Sequence, residues 1–221
     1  MSNRDKLIKF CKEFQALGWM PGTSGSVALL CNVAENSRKI FITPEGIRKD
    51  ELSSSELFEL RDLYGSQECI PPMEKRGITY NISSWAQIHL ETLSRIPGIT
   101  CTAFIASKWI TLAARTSLKA SFEKGDSLPN VLRLAYWGLL ENIAEGHEVN
   151  IPIISGSPKD GGGLSDLLQQ ALTLYPEAPA AVVRDHGALI WASSLSDLKT
   201  KAETIERVSE LKVFDYHLIS G

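Results

Sequence analysis

The chain has 221 residues, 43% of them hydrophobic and 22% charged, with a formal net charge of −3. That length suits one large soluble domain burying roughly 70% of the surface its unfolded chain would expose, and charges of both signs scattered without a basic stripe exclude a nucleic-acid binder. No apolar run approaches the roughly 20 residues that span a bilayer, and Met1 to Lys6 lacks a signal-peptide core, so the sequence predicts a cytoplasmic protein with no membrane partner.

Residues 3 to 17 place Leu7, Ile8, Phe10, Cys11, Phe14 and Leu17 near one helical face, with Gly18 as the stop. Ser26 to Cys31 and Lys39 to Ile42 read as two strands around a polar turn at Glu35-Asn36-Ser37. Ser53 to Glu56 reads as a cap or a one-turn helix, Leu57 to Leu63 as a strand or helix end, and Gln67 to Tyr80, with Pro71-Pro72, as polar loop. Ser83 or Ser84 caps a helix through Arg95 that Pro97-Gly98 closes. A strand from Thr100 to Ser107 follows, then helices from Trp109 to Leu118 and from Leu128 to Glu145, the latter with Pro129 at its start. Asn150 to Ile154 is a short strand, Ser157 to Gly163 a glycine-rich loop, and Leu164 to Leu174 a helix. Strands at Ala180 to Val183 and Ala188 to Trp191 precede a terminal helix from Ser196 to about His217. Cys11, Cys31, Cys69 and Cys101 form no C-x-x-C pair and read as free thiols.

Four segments carry a further signal: Gly18-Trp19-Met20-Pro21-Gly22-Thr23-Ser24-Gly25-Ser26, Ile42-Thr43-Pro44-Glu45-Gly46-Ile47-Arg48-Lys49, Ile82-Ser83-Ser84-Trp85 with His89, and Val182-Val183-Arg184-Asp185-His186-Gly187. In that order, from about Leu7 to Leu211, they resemble the class II aldolase/adducin family. The first and last, with Tyr175-Pro176 and Ile190-Trp191, are most similar to its methylthioribulose-1-phosphate dehydratase branch. The resemblance implies one α/β domain over residues 1–221, layered α/β/α, with a central and mainly antiparallel sheet flanked by helices. It also implies a homotetramer, a sugar-phosphate ligand and a catalytic zinc.

The resemblance puts two of the three metal-binding histidines on the strand at 102–107, as His-x-His. The spacing suits a strand, whose side chains at i and i+2 point the same way. Here those positions are Phe104 and Ala106, neither able to bind a metal, and Cys101 has the wrong parity to replace them. His186 keeps the third position, as a vestigial ligand or as a strand-end histidine held by backbone. His89, one helical turn after Trp85, reads as structural. The family's acid/base Glu, directly after the Ser-Ser pair, is Trp85, which has no group titrating near neutral pH. Glu141 is a weak second candidate, with a solvated helix carboxylate as the plainer reading.

The phosphate-holding part of the resemblance survives. Thr23, Ser24, Gly25 and Ser26 in the first turn, Thr43 and Gly46 in the second, and Ser83 and Ser84 at a helix start offer amides and hydroxyls to an oxyanion. Glu45 in the second turn opposes it with negative charge, and the same residues would also serve as tight turns and a cap kept for folding. Together these positions imply a non-catalytic binding or assembly protein, with no cofactor and a small phosphorylated sugar as ligand. The alternative is an active dehydratase or sugar-phosphate lyase whose zinc site is rearranged.

Overall fold

The computed structural model describes residues 1–34, 37–63, 66–72, 79–124, 130–135, 148–158 and 163–220. The chain divides into two compact units, residues 1–105 with 192–195, and residues 106–191 with 196–221.

In the first unit Ser2 starts helix α1 (Asn3–Ala16) through a capping box: its hydroxyl takes the Asp5 amide while the Asp5 carboxylate takes the Ser2 amide. The apolar stripe predicted from periodicity, Leu7, Ile8, Phe10, Cys11 and Phe14, is buried. Gly18 then turns at φ 78°, and the Trp19 ring meets Phe14 edge-on at 5.0 Å. Strands β1 (Ser26–Ala34), β2 (Ser37–Ile42), β3 (Phe58–Leu63), β4 (Ser66–Ile70) and β5 (Cys101–Ile105) form a sheet in the order β4-β3-β2-β1-β5, antiparallel at every junction. The sequence reads residues 67–70 as loop. They pair with β3 instead, Leu60 opposite Cys69 and Glu59 opposite Ile70. This edge strand packs too few apolar side chains to show the alternation that announces a strand.

Helix α2 (Ala86–Arg95) lies on β1 and β5. It ends at Arg95 as expected, but its N-cap is Trp85 rather than Ser83 or Ser84. Ser83 acts one step earlier, its hydroxyl accepting the Trp85 amide at 3.2 Å and its carbonyl the Ala86 amide at 2.9 Å. The face of the sheet beneath α2 gathers Ala28, Ile42, Phe58 and Leu60 against Ala86 and Leu93.

The second unit holds α3 (Lys108–Lys124), β6 (Val131–Leu134), β7 (Val149–Ile154), α4 (Gly163–Leu174), β8 (Ala180–Val183), β9 (Gly187–Ala192) and most of α5 (Leu195–Ser220). Its strand order is β9-β8-β7-β6. Strands β7 and β8 are parallel, Ile153 opposite Val182, and α4 supplies the crossover that parallel neighbours require. Within the stretch expected to be helix from Leu128 to Glu145, residues 131–134 form strand β6, where Val131, Leu132 and Leu134 are buried and pair with β7. Three apolar residues in a segment of four, with Arg133 exposed, fit either period, and pairing decides it. The rest of that expected helix, with Glu141, lies outside the described residues, as do residues 35–36 of the first hairpin turn. Helix α5 buries Leu198, Ala202, Ile205, Val208 and Val213 at helical spacing. Among the described residues no helix is long and apolar enough to cross a membrane.

Candidate functional site

Strand β5 and helix α2 meet as two matched ladders. Residues two apart on a strand lie about 6.6 Å apart on one face, and residues four apart on a helix lie about 6 Å apart on one face. Thr102 and Phe104 of β5 therefore line up with His89 and Trp85 of α2. The Trp85 and Phe104 rings stack at 3.6 Å between centroids with 13° between planes, and Phe104 is 2% exposed. The other rung is a hydrogen-bonded chain: His89 Nδ1 lies 2.7 Å from Thr102 Oγ1 and Nε2 lies 2.6 Å from Ser26 Oγ. All three residues are completely buried. With no charged partner among the described residues, burial pushes the His89 imidazole down to about 3, so it is neutral at physiological pH. Cys101 faces away from this surface, with its thiol directed at the Ala192 carbonyl.

Three turns of the first unit sit together at the same end of β1 and β2. The Thr43 amide donates to the Val27 carbonyl and the Val27 amide to Thr43 Oγ1, both at 3.1 Å. Pro44 bridges Ile82, and the Glu45 amide donates to the Asn81 carbonyl at 2.9 Å. Ser26 is paired with Phe104 across β1 and β5. Thr23, Ser24, Gly25, Ser26, Thr43, Gly46, Ser83 and Ser84 are thus carried by adjoining segments, but their side chains differ in availability. Thr23 is exposed, whereas Ser26 and Thr43 are sealed inside and their hydroxyls are engaged as described. Ser24 Oγ donates back to the Pro21 carbonyl at 2.6 Å. Gly25, at φ 77°, passes so close to Met20 that a Cβ there would lie 2.4 Å from Met20 Cγ, so this turn requires glycine.

A cleft of about 650 Å³ opens beside α2, lined by Ser83, Ser84, Gln87 and Glu91 on one side and by Leu30 and Ile40 on the other. It takes in neither the Thr23 turn nor Gly46. Sequence reasoning passed over two residues here. Thr102 could have been found from the i, i+2 spacing to Phe104 set against the i, i+4 spacing of Trp85 and His89. Lys49 carried no such signal. It is fully buried, and its ammonium donates to the carbonyls of Thr23 at 3.2 Å and Ile47 at 3.0 Å.

In the second unit the half-buried Ala106 follows β5, and His186 stands exposed in the turn between β8 and β9. His186 Nδ1 lies 2.8 Å from the Arg184 carbonyl and its amide donates to the Val183 carbonyl at 3.0 Å. Asp185 adopts φ 63°, a conformation Asp tolerates better than most residues. The Arg115 guanidinium, 2.7 Å away, holds its carboxyl below the usual carboxylate range.

The zinc that the resemblance implies does not fit these residues. A phenyl at 104 and a methyl at 106 have no lone pair to donate. Among the described residues no three His, Cys, Asp or Glu side chains cluster where they could hold one ion.

Residues 5–213 match the class II aldolase and adducin N-terminal domain. The chain is 27% identical over 218 residues to a methylthioribulose-1-phosphate dehydratase from Arthroderma otae, covering 93% of this chain and 81% of that protein. It is also 27% identical over 219 residues to a probable methylthioribulose-1-phosphate dehydratase from Acyrthosiphon pisum, covering 96% and 87%. Among solved structures, an L-fuculose 1-phosphate aldolase superposes with a TM-score of 0.72 at 17% identity, over 99% of this chain and 89% of that one. A sugar-phosphate aldolase from Thermotoga maritima gives 0.70 at 13% identity, over 97% and 95%. With this α/β fold, the chain belongs to the class II aldolase and adducin N-terminal domain family, on the side of its methylthioribulose-1-phosphate dehydratases.

Proposed function

We propose that this protein binds a small phosphorylated sugar without metal-assisted catalysis, as a pseudoenzyme that serves in binding or assembly. The Trp85–Phe104 stack carries the reading. The family resemblance implies a proton-transferring carboxylate at one of these positions and a metal-binding imidazole at the other. Two aromatic rings in contact offer neither a titrating group nor a ligand atom, and their packing gives both substitutions one joint physical purpose. The turns at 22–26, 43–46 and 83–84 supply backbone amides for the phosphate. Family resemblance further supports a single domain over residues 1–221, a cytoplasmic location and a homotetramer.

A working carbon–oxygen lyase of the methylthioribulose-1-phosphate dehydratase type is the second reading. It is favoured by the 27% identity to such dehydratases along almost the whole chain, and it needs a zinc site assembled from other residues. Elemental analysis after purification without chelators, paired with a turnover assay on methylthioribulose-1-phosphate, separates the two. We expect no stoichiometric zinc and no turnover. Stoichiometric zinc together with turnover that a chelator abolishes would overturn the pseudoenzyme reading and establish the second.

A further inference from the structure

Lys49 is an anomaly of charge. Lysine is almost never fully buried unless paired, yet this one has no exposed surface and no carboxylate partner among the described residues. Its Nζ donates to two main-chain carbonyls, Thr23 at 3.2 Å and Ile47 at 3.0 Å, which spends two of three ammonium protons and neutralises none of the charge. Cys11 is the titratable side chain that faces it, and burial pushes that thiol up to about 12, so it stays neutral and cannot act as a counterion. Arg48, Asp50 and Glu51 flank it in sequence, but their side chains are exposed and pair with one another. The backbone at Lys49 is fixed too, because Gln15 Oε1 accepts the amides of both Lys49 and Asp50.

A buried cation without an anion is costly to fold around, and its location indicates where the anion belongs. The two carbonyls it holds lie at the two turns read above as phosphate-holding, Thr23 in the first and Ile47 just after Gly46 in the second. We propose that Lys49 is the buried countercharge of an anion-binding loop, a positioning residue that locks the Thr23 and Gly46 turns together and supplies the positive charge that a phosphate-bearing ligand completes. The role explains how a loop containing the acidic Glu45 could still accept an anion. It rests on the phosphate-binding reading above and adds the residue that determines preference for a phosphorylated over a neutral sugar.

The test compares the whole protein with Lys49→Met, Lys49→Gln and Lys49→Arg, using inorganic phosphate as the probe and thermal shift and calorimetry as readouts. Met removes the charge and keeps the bulk, and Gln keeps a donor for a carbonyl, so that one of the two folds even where the other fails. Without phosphate, the uncharged variants are expected to melt at or above the wild-type temperature, because an uncompensated buried charge has gone. Their affinity for phosphate is expected to drop by at least about tenfold, and Lys49→Arg is expected to retain most of it. A residue with only a structural role would give the opposite pattern, a lower melting temperature with phosphate affinity intact. That pattern overturns the role of Lys49 while leaving the phosphate site standing. A wild-type protein that does not respond to phosphate overturns both.

Discussion

His89 has an imidazole surrounded by protein on every side, with a hydroxyl at each ring nitrogen. One nitrogen donates and the other accepts, so the neutral ring is fully satisfied and a second proton would have to displace a hydroxyl hydrogen. The consequence is a pH dependence of stability. In the unfolded chain the ring takes up a proton near 6.5, and in the folded protein burial holds it at about 3. A group depressed in this way contributes stability that is complete above pH 6.5 and lost as pH falls toward 3, by about 1.4 kcal/mol per pH unit. Urea denaturation at pH 7, 6 and 5 is expected to show a fall that steepens toward that slope between pH 6 and 5, and His89→Gln, which can still bond both hydroxyls, is expected to flatten it. Equal slopes in the two proteins would remove His89 as the cause.

Across α1, β2 and β3 a single carboxylate organises three cations. Glu59 of β3 is 6% exposed and lies 2.5 Å from Arg4 Nη2, 2.6 Å from Arg61 Nε and 3.4 Å from Lys39 Nζ. Burial alone would raise its carboxyl, but the hydrogen bonds from Arg61 and Arg4 outweigh it and hold the group at about 2. Its contribution is complete above the unfolded value near 4.5 and lost as pH falls toward 2. Glu59→Gln is expected to cost roughly 2–3 kcal/mol at pH 7, with the half-exposed cations screened by water. The difference from wild type should narrow at pH 3, which denaturation at the two pH values checks. The elements also show what a sequence makes legible. Helix α1 stood out because its apolar residues keep one helical period, and β8, an unbroken apolar run between Pro179 and the turn at 184–186, matched its expected bounds. Strands β4 and β6 did not stand out, because one has little apolar pattern and the other, with Arg133 among its apolar residues, fits a helical period as well. At the site, positions 85, 104 and 106 are singled out by the family resemblance alone. The Trp85–Phe104 contact and the buried Lys49 could not be read from the sequence, since both depend on which segments the fold brings side by side.

For the molecule as a whole, the first unit is not contiguous in sequence. The Thr100 amide donates to the Ala192 carbonyl at 2.9 Å and Thr100 Oγ1 to the Ser193 carbonyl at 2.8 Å, bonds that join residues over ninety positions apart. A polypeptide of residues 1–105 would keep the antiparallel run from β1 to β4 but leave both Thr100 donors without these acceptors. Amide hydrogen exchange at Thr100 is expected to be fast in that fragment and strongly protected in the whole chain; equal protection in both would show that residues 192–195 are dispensable to the unit. The same long-range closure sets an order of events during synthesis. Strands β1 to β4 can zip from neighbour to neighbour as they leave the ribosome, whereas the last bonds of that unit must wait until translation has reached the start of α5. Until then the nascent chain carries an unfinished strand end at Thr100, its amide and hydroxyl left to water.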